Sequence, residues 1–187
     1  VSPVPFVNAG DGRGQHPTQA LLDLVTIQKE RGGIDKIHLA MVGDLKNGRT
    51  VHSLSLLLSL YTNVRLTLIA PEELRMPVEI CDILRERGVT FEEREKMEDA
   101  LNADVLYMTR IQKERFSDEK EYQRLKGIYV LSARDLIKKN ITVMHPLPRV
   151  GEISLDVDAL PNAAYFRQVR NGVILRMALL AMMLGKA

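Results

Sequence analysis

The feature of this sequence that most limits its fold is an alternation. Short apolar runs of strand-like composition exchange places with longer segments of helical period along most of the chain. The strand-like runs are Ile37–Val42, Val64–Ala70, Val89–Glu92, Val105–Met108 and Ile141–His145. Between them lie predicted helices over Thr50–Tyr61, Pro77–Arg87 and Met97–Asn102, and an interrupted one across Glu119–Lys138. Strands separated by helices cannot pair as hairpins. They need right-handed crossovers, and hence a mostly parallel sheet covered on both faces. The expected fold class is α/β, with a doubly wound, mostly parallel five-stranded sheet of Rossmann-like kind over residues 34–163.

Two helical segments stand outside this alternation. The first, Pro17–Arg31, has Pro17 at the first helical position and Gly32-Gly33 as its stop. Its Leu21, Leu22, Leu24, Val25 and Ile27 cover more than one narrow stripe. The second, about Ala164–Leu184, ends apolar nearly all round and calls for cover on most sides. One five-stranded domain has little surface to bury both, so a second, preceding domain is the expected cover. The chain opens on Val1-Ser2-Pro3 without a methionine, which reads as the interior of a longer polypeptide. The expected division is 1–33 as the end of that other domain plus a linking helix, 34–163 as the α/β domain, and 164–187 as a helix returning toward the first.

Composition narrows the function classes. A net charge of +2 gives no reason to expect nucleic acid or a membrane surface as partner. The most apolar run, Met177–Leu184, is far short of a membrane span. The single cysteine, Cys81, leaves no internal disulfide framework, sits in the apolar-periodic stretch Val78–Leu84 and reads as a buried thiol in a cytoplasmic protein. His16, His38, His52 and His145 are not paired at ligand spacing and have no carboxylate cluster, so no metal site and no cofactor is expected. The charged run Glu92–Asp99 reads as a solvated face or loop.

In an open parallel sheet, ligands bind beyond the carboxyl ends of the strands, which selects four segments. The first, Asn8-Ala9-Gly10-Asp11-Gly12-Arg13-Gly14-Gln15-His16-Pro17-Thr18-Gln19, has glycines that permit close backbone approach to a ligand. A helix start follows whose free amides favour an anion, with His16 and Gln19 in reach. The second, Gly43-Asp44-Leu45-Lys46-Asn47-Gly48-Arg49-Thr50, places Lys46 and Arg49 at a strand end. Arg49 adjoins a helix N-terminus, where a cation is unfavourable unless an anionic ligand offsets it. This is not a dinucleotide-binding glycine fingerprint. The third, Thr109-Arg110-Ile111-Gln112-Lys113-Glu114-Arg115-Phe116, brings a second arginine to a second strand end. Two arginines converging from separate strands suit a dianion, each guanidinium gripping one carboxylate. The fourth, His145-Pro146-Leu147-Pro148-Arg149, is a proline-stiffened loop that can hold carbonyls at fixed positions. Its Leu147–Pro148 bond is a candidate cis peptide.

Taken in order, these strings resemble the signature segments of aspartate carbamoyltransferase catalytic chains: Asn8–Gly12, His16–Gln19, Gly43–Leu45 with Gly48–Thr50, Thr109–Arg115 and His145–Arg149. The resemblance extends to Asn171-Gly172 and the Arg176–Leu184 helix, and so covers essentially the whole chain. Ornithine carbamoyltransferases share the His-Pro-Thr-Gln string but typically carry a cysteine where this chain reads His145-Pro146-Leu147-Pro148.

The resemblance implies transfer of a carbamoyl group from carbamoyl phosphate to the amine of L-aspartate, without metal or cofactor. His16 and Gln19 would contact the carbamoyl moiety. Arg49 and Arg110 would bind the two aspartate carboxylates, with Thr50 and Gln112 in support. The backbone of Pro146 and Leu147 would orient the carbamoyl amide and the incoming amine. It also implies a catalytic homotrimer with shared active sites, and leaves attachment of a regulatory chain open. The family's phosphate-gripping Ser-x-Arg-Thr-Arg segment and the serine and lysine given by a neighbouring subunit belong to the carbamoyl-phosphate domain and are not in this sequence. The chain is therefore expected to be inactive by itself. Asn47 stands where some members carry a tyrosine. The alternative readings are a non-catalytic, truncated relative acting as a binding module, against which the paired arginines argue, and a nucleotide-binding domain, against which the missing fingerprint argues.

Overall fold

The computed structural model describes residues 4–12, 14–116 and 118–186. Val1–Pro3, with which the chain opens, and Arg13 of the glycine-rich segment lie outside the described residues. In chain order the elements are α1 (Pro17–Arg31), β1 (His38–Val42), α2 (Arg49–Leu58), β2 (Arg65–Ile69), α3 (Val78–Glu86), β3 (Thr90–Arg94), β4 (Val105–Met108), α4 (Glu119–Leu125), β5 (Thr142–Met144) and α5 (Tyr165–Met183). The five strands form one all-parallel sheet in the order β3-β2-β1-β4-β5.

The central strands read as unbroken apolar runs because both of their faces are covered. Leu39 and Met41 of β1 join Leu66 and Leu68 of β2 in the cluster on one face, with Leu54, Leu58 and Leu84 from the helices. Ala40 and Val42 point the other way, among Ile69, Leu106, Met108, Val143 and Tyr165. Fully burying a leucine or isoleucine contributes about 1.5–3 kcal/mol, and the two clusters together fix the register of every strand.

Several boundaries shift from the expected ones. The strand expected to end at Glu92 continues to Arg94, inside the charged run, because β3 is an edge strand. Its ladder to β2 needs backbone, not apolar side chains, and charges suit an exposed edge. Met97–Asn102 is a 3-10 helix. The interrupted segment resolves into α4 and a 3-10 turn over Ala133–Leu136, parted where Gly127 takes φ 75°. Cys81 is buried on α3.

The two outlying helices fare differently. α1 packs against α2 and α5, and its Leu22, Leu24 and Ile27 are buried without any further domain. α5 is buried only over its first half, at Tyr165, Gln168, Asn171 and Gly172. Beyond that, Val173, Ile174, Met177, Leu180 and Met182 are all exposed. Among the described residues, no helix is long and apolar enough to cross a membrane.

Candidate active site at the switch point of the sheet

The chain runs outward from β1 to β2 and β3, then crosses to β4 and β5 on the other side. A doubly wound sheet opens a crevice where its strand order reverses in this way. Here that point lies between the carboxyl ends of β1 and β4, whose pairing runs from Leu39 opposite Val105 to Val42 opposite Met108. Gly43 and Thr109 come next. The Thr109 amide donates to the Val42 carbonyl at 2.8 Å, and Gly43 has φ +124°. A Cβ on Gly43 would lie 2.2 Å from the Thr109 carbonyl oxygen, so only glycine lets the two strand ends meet.

The loops beyond are tied together by Asp44. Its fully buried carboxylate accepts from the Asn47 amide at 2.9 Å, from the Asn47 side chain at 3.0 Å and from the Gln112 amide at 3.5 Å. Burial pushes this carboxyl above its ordinary range, against the pull of those donors. Gln112 also donates from its side chain to the Asn47 carbonyl at 3.2 Å. The segments carrying Arg49 and Arg110 thus form one unit.

Arg49 is the first residue of α2, and its Nη1 donates to the Gly12 carbonyl at 3.1 Å. The guanidinium lies against Gly10, where a Cβ would come 3.1 Å from Nη1 and where φ is +126°. Gly10, one of the glycines expected to make room for a ligand, therefore makes room for this arginine. Asn8 and Asp11 hold the loop in shape, accepting from the Gly10 amide at 2.8 Å and the Gln15 amide at 2.6 Å. Arg110 is gripped by the Glu114 carboxylate, one contact being Nη1 to Oε2 at 3.2 Å. That carboxyl is held below its ordinary range by a backbone hydrogen bond and by Arg110. Lys46 is not at the main cavity but lines a neighbouring one with His52 and Arg115.

His16 and Gln19 enter from the start of α1. The His16 amide donates to the Ser53 hydroxyl of α2 at 2.9 Å, and that hydroxyl donates to the Gln15 side chain at 2.5 Å. Burial, then the positive charges of Arg49 and Arg176, lower the His16 pKa, so the ring is neutral at neutral pH. Its Nδ1 is buried with no hydrogen-bond partner among the described residues.

The proline loop follows β5. Leu147–Pro148 is cis, as expected, and Leu147 has φ 51°. The His145 ring sets the loop: its Nδ1 accepts from the Leu147 amide at 2.8 Å, which leaves the ring proton on Nε2 to donate to Glu152 at 2.6 Å. His38 and His52 likewise have ring partners, in Thr67 and Arg65 and in the Leu45 carbonyl.

One cavity of about 380 Å³ is lined by His16, Gln19, Arg49, Thr50, Arg110, Gln112, Pro146 and Leu147, together with Asn47, Glu114 and Arg115. All eight residues singled out in the sequence therefore share it. Two guanidiniums, a neutral imidazole and a primary amide around one opening can bind a dianion beside a polarisable carbonyl. Sequence reasoning missed the support beneath. Asp23 on α1 is fully buried, and accepts from Gln19, Gln168 and Tyr107. The only hint was that Gln19 and Asp23 stand one helical turn apart, with Asp23 set between Leu22 and Leu24.

Residues 35–183 match the family model described as the aspartate/ornithine carbamoyltransferase Asp/Orn binding domain, and residues 1–29 match its carbamoyl-P binding domain. The chain is 55% identical over 184 residues to the aspartate carbamoyltransferase catalytic subunit of Leptospira biflexa, covering 97% of this chain and 59% of that protein. It is similar to the catalytic subunit of M. jannaschii aspartate transcarbamoylase, with TM-score 0.92 and 51% identity over 98% of this chain and 60% of the other. A further similar structure is the Trypanosoma cruzi aspartate transcarbamoylase in complex with N-(phosphonacetyl)-L-aspartic acid, with TM-score 0.85 and 43% identity over 96% of this chain and 57% of the other. The chain thus spans about 60% of the length of these three proteins, and only 8% of the multifunctional protein CAD of Squalus acanthias, to which it is also 55% identical.

Proposed function

This chain belongs to the aspartate/ornithine carbamoyltransferase family, and from that premise we propose that it is the aspartate-binding part of an enzyme forming N-carbamoyl-L-aspartate and phosphate from carbamoyl phosphate and L-aspartate, a step of pyrimidine biosynthesis. The observation that carries this reading is the convergence of Arg49 and Arg110, from two different strand ends, on the cavity that also holds His16 and Gln19. Each arginine binds one carboxylate of aspartate, supported by Thr50 and Gln112. The α-amine is left facing the loop of Pro146 and Leu147, whose carbonyls orient it and the carbamoyl NH2. The amine lone pair attacks the carbamoyl carbon, and His16 donates a hydrogen bond to the carbonyl oxygen as charge develops there. A neutral His16 suits that role, since it donates without giving up a full proton. The tetrahedral intermediate then expels phosphate with its electron pair, and the departing phosphate takes up the proton that the amine loses. Positioning and fixed dipoles carry the rate, with no metal or cofactor required.

Residues 1–33 close a carbamoyl-phosphate domain and supply the linking helix α1, and α5 returns to that domain. The exposed apolar second half of α5 supports this arrangement. The assembled enzyme is a cytoplasmic homotrimer of catalytic chains, in which a neighbour completes the phosphate site. The 55% identity to an aspartate carbamoyltransferase catalytic subunit supports the choice of substrate. Formation of carbamoyl-aspartate by the full-length protein, and by its Arg49→Ala variant, tests the reading. We expect the variant to lose at least about a hundredfold in kcat/KM, the cost of removing one partner of a charged hydrogen-bonded pair. Undiminished turnover would remove Arg49 from the site.

A further inference from the structure

We infer that Asp23 is a positioning residue that fixes which way the Gln19 amide faces, and that it thereby tunes the site to an acyl donor bearing an NH2 group. This rests on the carbamoyl-transfer reading above. Asp23 lies fully buried on α1, one turn after Gln19. Its Oδ1 accepts from Gln19 Nε2 at 2.8 Å and from Gln168 Nε2 at 2.6 Å, while its Oδ2 accepts from the Tyr107 hydroxyl at 2.7 Å.

The polarity of this network is set from its far end. The His145 backbone amide can only donate, and it donates to Gln168 Oε1 at 2.9 Å. Gln168 must therefore turn its NH2 to Asp23, and Asp23 Oδ1 must be an acceptor. Gln19 shares that oxygen and turns its NH2 inward as well. What Gln19 has left for the cavity it lines is its carbonyl oxygen. Such an oxygen accepts from an NH2 group and gains nothing from a methyl. The same carboxylate, through Gln168 and His145, also anchors the loop that carries Pro146 and Leu147.

The orientation does not depend on the charge of Asp23. Burial raises this carboxyl to about 7, so both forms are populated near neutrality. In the acid form the proton sits on Oδ2, shared with Tyr107, and Oδ1 stays an acceptor. Asparagine reproduces that arrangement, with its oxygen in place of Oδ1 and its NH2 donating to the Tyr107 oxygen. Leucine abolishes it.

The test compares carbamoyl phosphate with acetyl phosphate, which replaces NH2 by CH3, as donors to aspartate in the full-length protein. In Asp23→Leu we expect the kcat/KM preference for the carbamoyl donor to narrow by about tenfold, the worth of one hydrogen bond. In Asp23→Asn it should stay within about twofold of the unmodified protein. A purely structural role would lower both donors together, and an unchanged ratio in Asp23→Leu would overturn the inference. Exchange of the Gln19 side-chain NH2 in protein labelled with 15N-glutamine decides the matter should Asp23→Leu fail to fold. Slow exchange, retained in Asp23→Asn, supports the inward NH2; exchange as fast as that of the exposed Gln123 overturns it. If neither donor is turned over by the unmodified protein, the transferase reading falls, while the exchange measurement still judges the orientation of Gln19.

Discussion

The cavity has two sides built on opposite principles. Its border is made of arginines whose charges have provisional partners: Arg49 donates to the Gly12 carbonyl, and Arg110 is gripped by Glu114. Its base is a buried network in which Asp23, Tyr107, Gln19 and Gln168 satisfy one another away from water. A partly solvated pair can be exchanged for a ligand at small cost, because water screens the loss. A desolvated network cannot be rearranged cheaply, since each orphaned group costs about 1–3 kcal/mol. The border is therefore suited to capture, and the base to holding atoms in place.

The largest expected effect separates these roles. Arg110→Ala in the full-length protein should lower kcat/KM for aspartate by about a hundredfold to a thousandfold. Its unfolding free energy should change by no more than about 0.5 kcal/mol, as for a surface substitution. Urea titration beside steady-state kinetics checks this, and a large loss of stability would show that the border is structural too. A smaller effect belongs to the base. The Asp23 carboxyl is raised from 3.8 to about 7 by burial, outweighing the donors around it and the more distant charge of Arg176. A group raised in the folded state stabilises fully below its unfolded pKa, and that contribution is lost as pH rises through the folded one. Between about pH 4 and about pH 7 the unmodified protein should therefore lose stability relative to Asp23→Asn, on the order of a few kcal/mol. A constant difference across that range, in urea melts, would contradict the assignment. The smallest effect lies outside both regions. Arg167 holds Glu30 by two hydrogen bonds of 2.7 Å, linking α5 to α1 at the surface. Arg167→Ala should cost no more than about 1 kcal/mol in thermal melts and leave the donor preference untouched.

The same contrast explains what could be read from the sequence. β1, β2 and β4 stand out because both faces of a central strand are buried, which leaves a continuous apolar signature, and β5, although it lies at the other edge, is buried along its length. β3 was cut short at Glu92 because an edge strand needs no such signature. Arg49 and Arg110 were legible because a charged residue at a strand end has a place in the topology before any contact is known. Asp23 was not. Its meaning comes from Tyr107 and Gln168, 84 and 145 residues away along the chain, and local periodicity carries no information at that range. The cover that α1 finds within this chain was hidden for a related reason: it comes from α2 and from α5, the latter at the other end of the sequence.

Gly43 gives the site its scale. With no side chain there, backbone meets backbone at the ends of β1 and β4, so the roots of the two arginine-bearing loops are set by covalent geometry and sheet spacing. On the proposed function, a diacid is then measured against a ruler rather than a pair of springs. Any side chain at this position would wedge the strand ends apart and recalibrate that ruler toward longer molecules, without altering a single group that touches them.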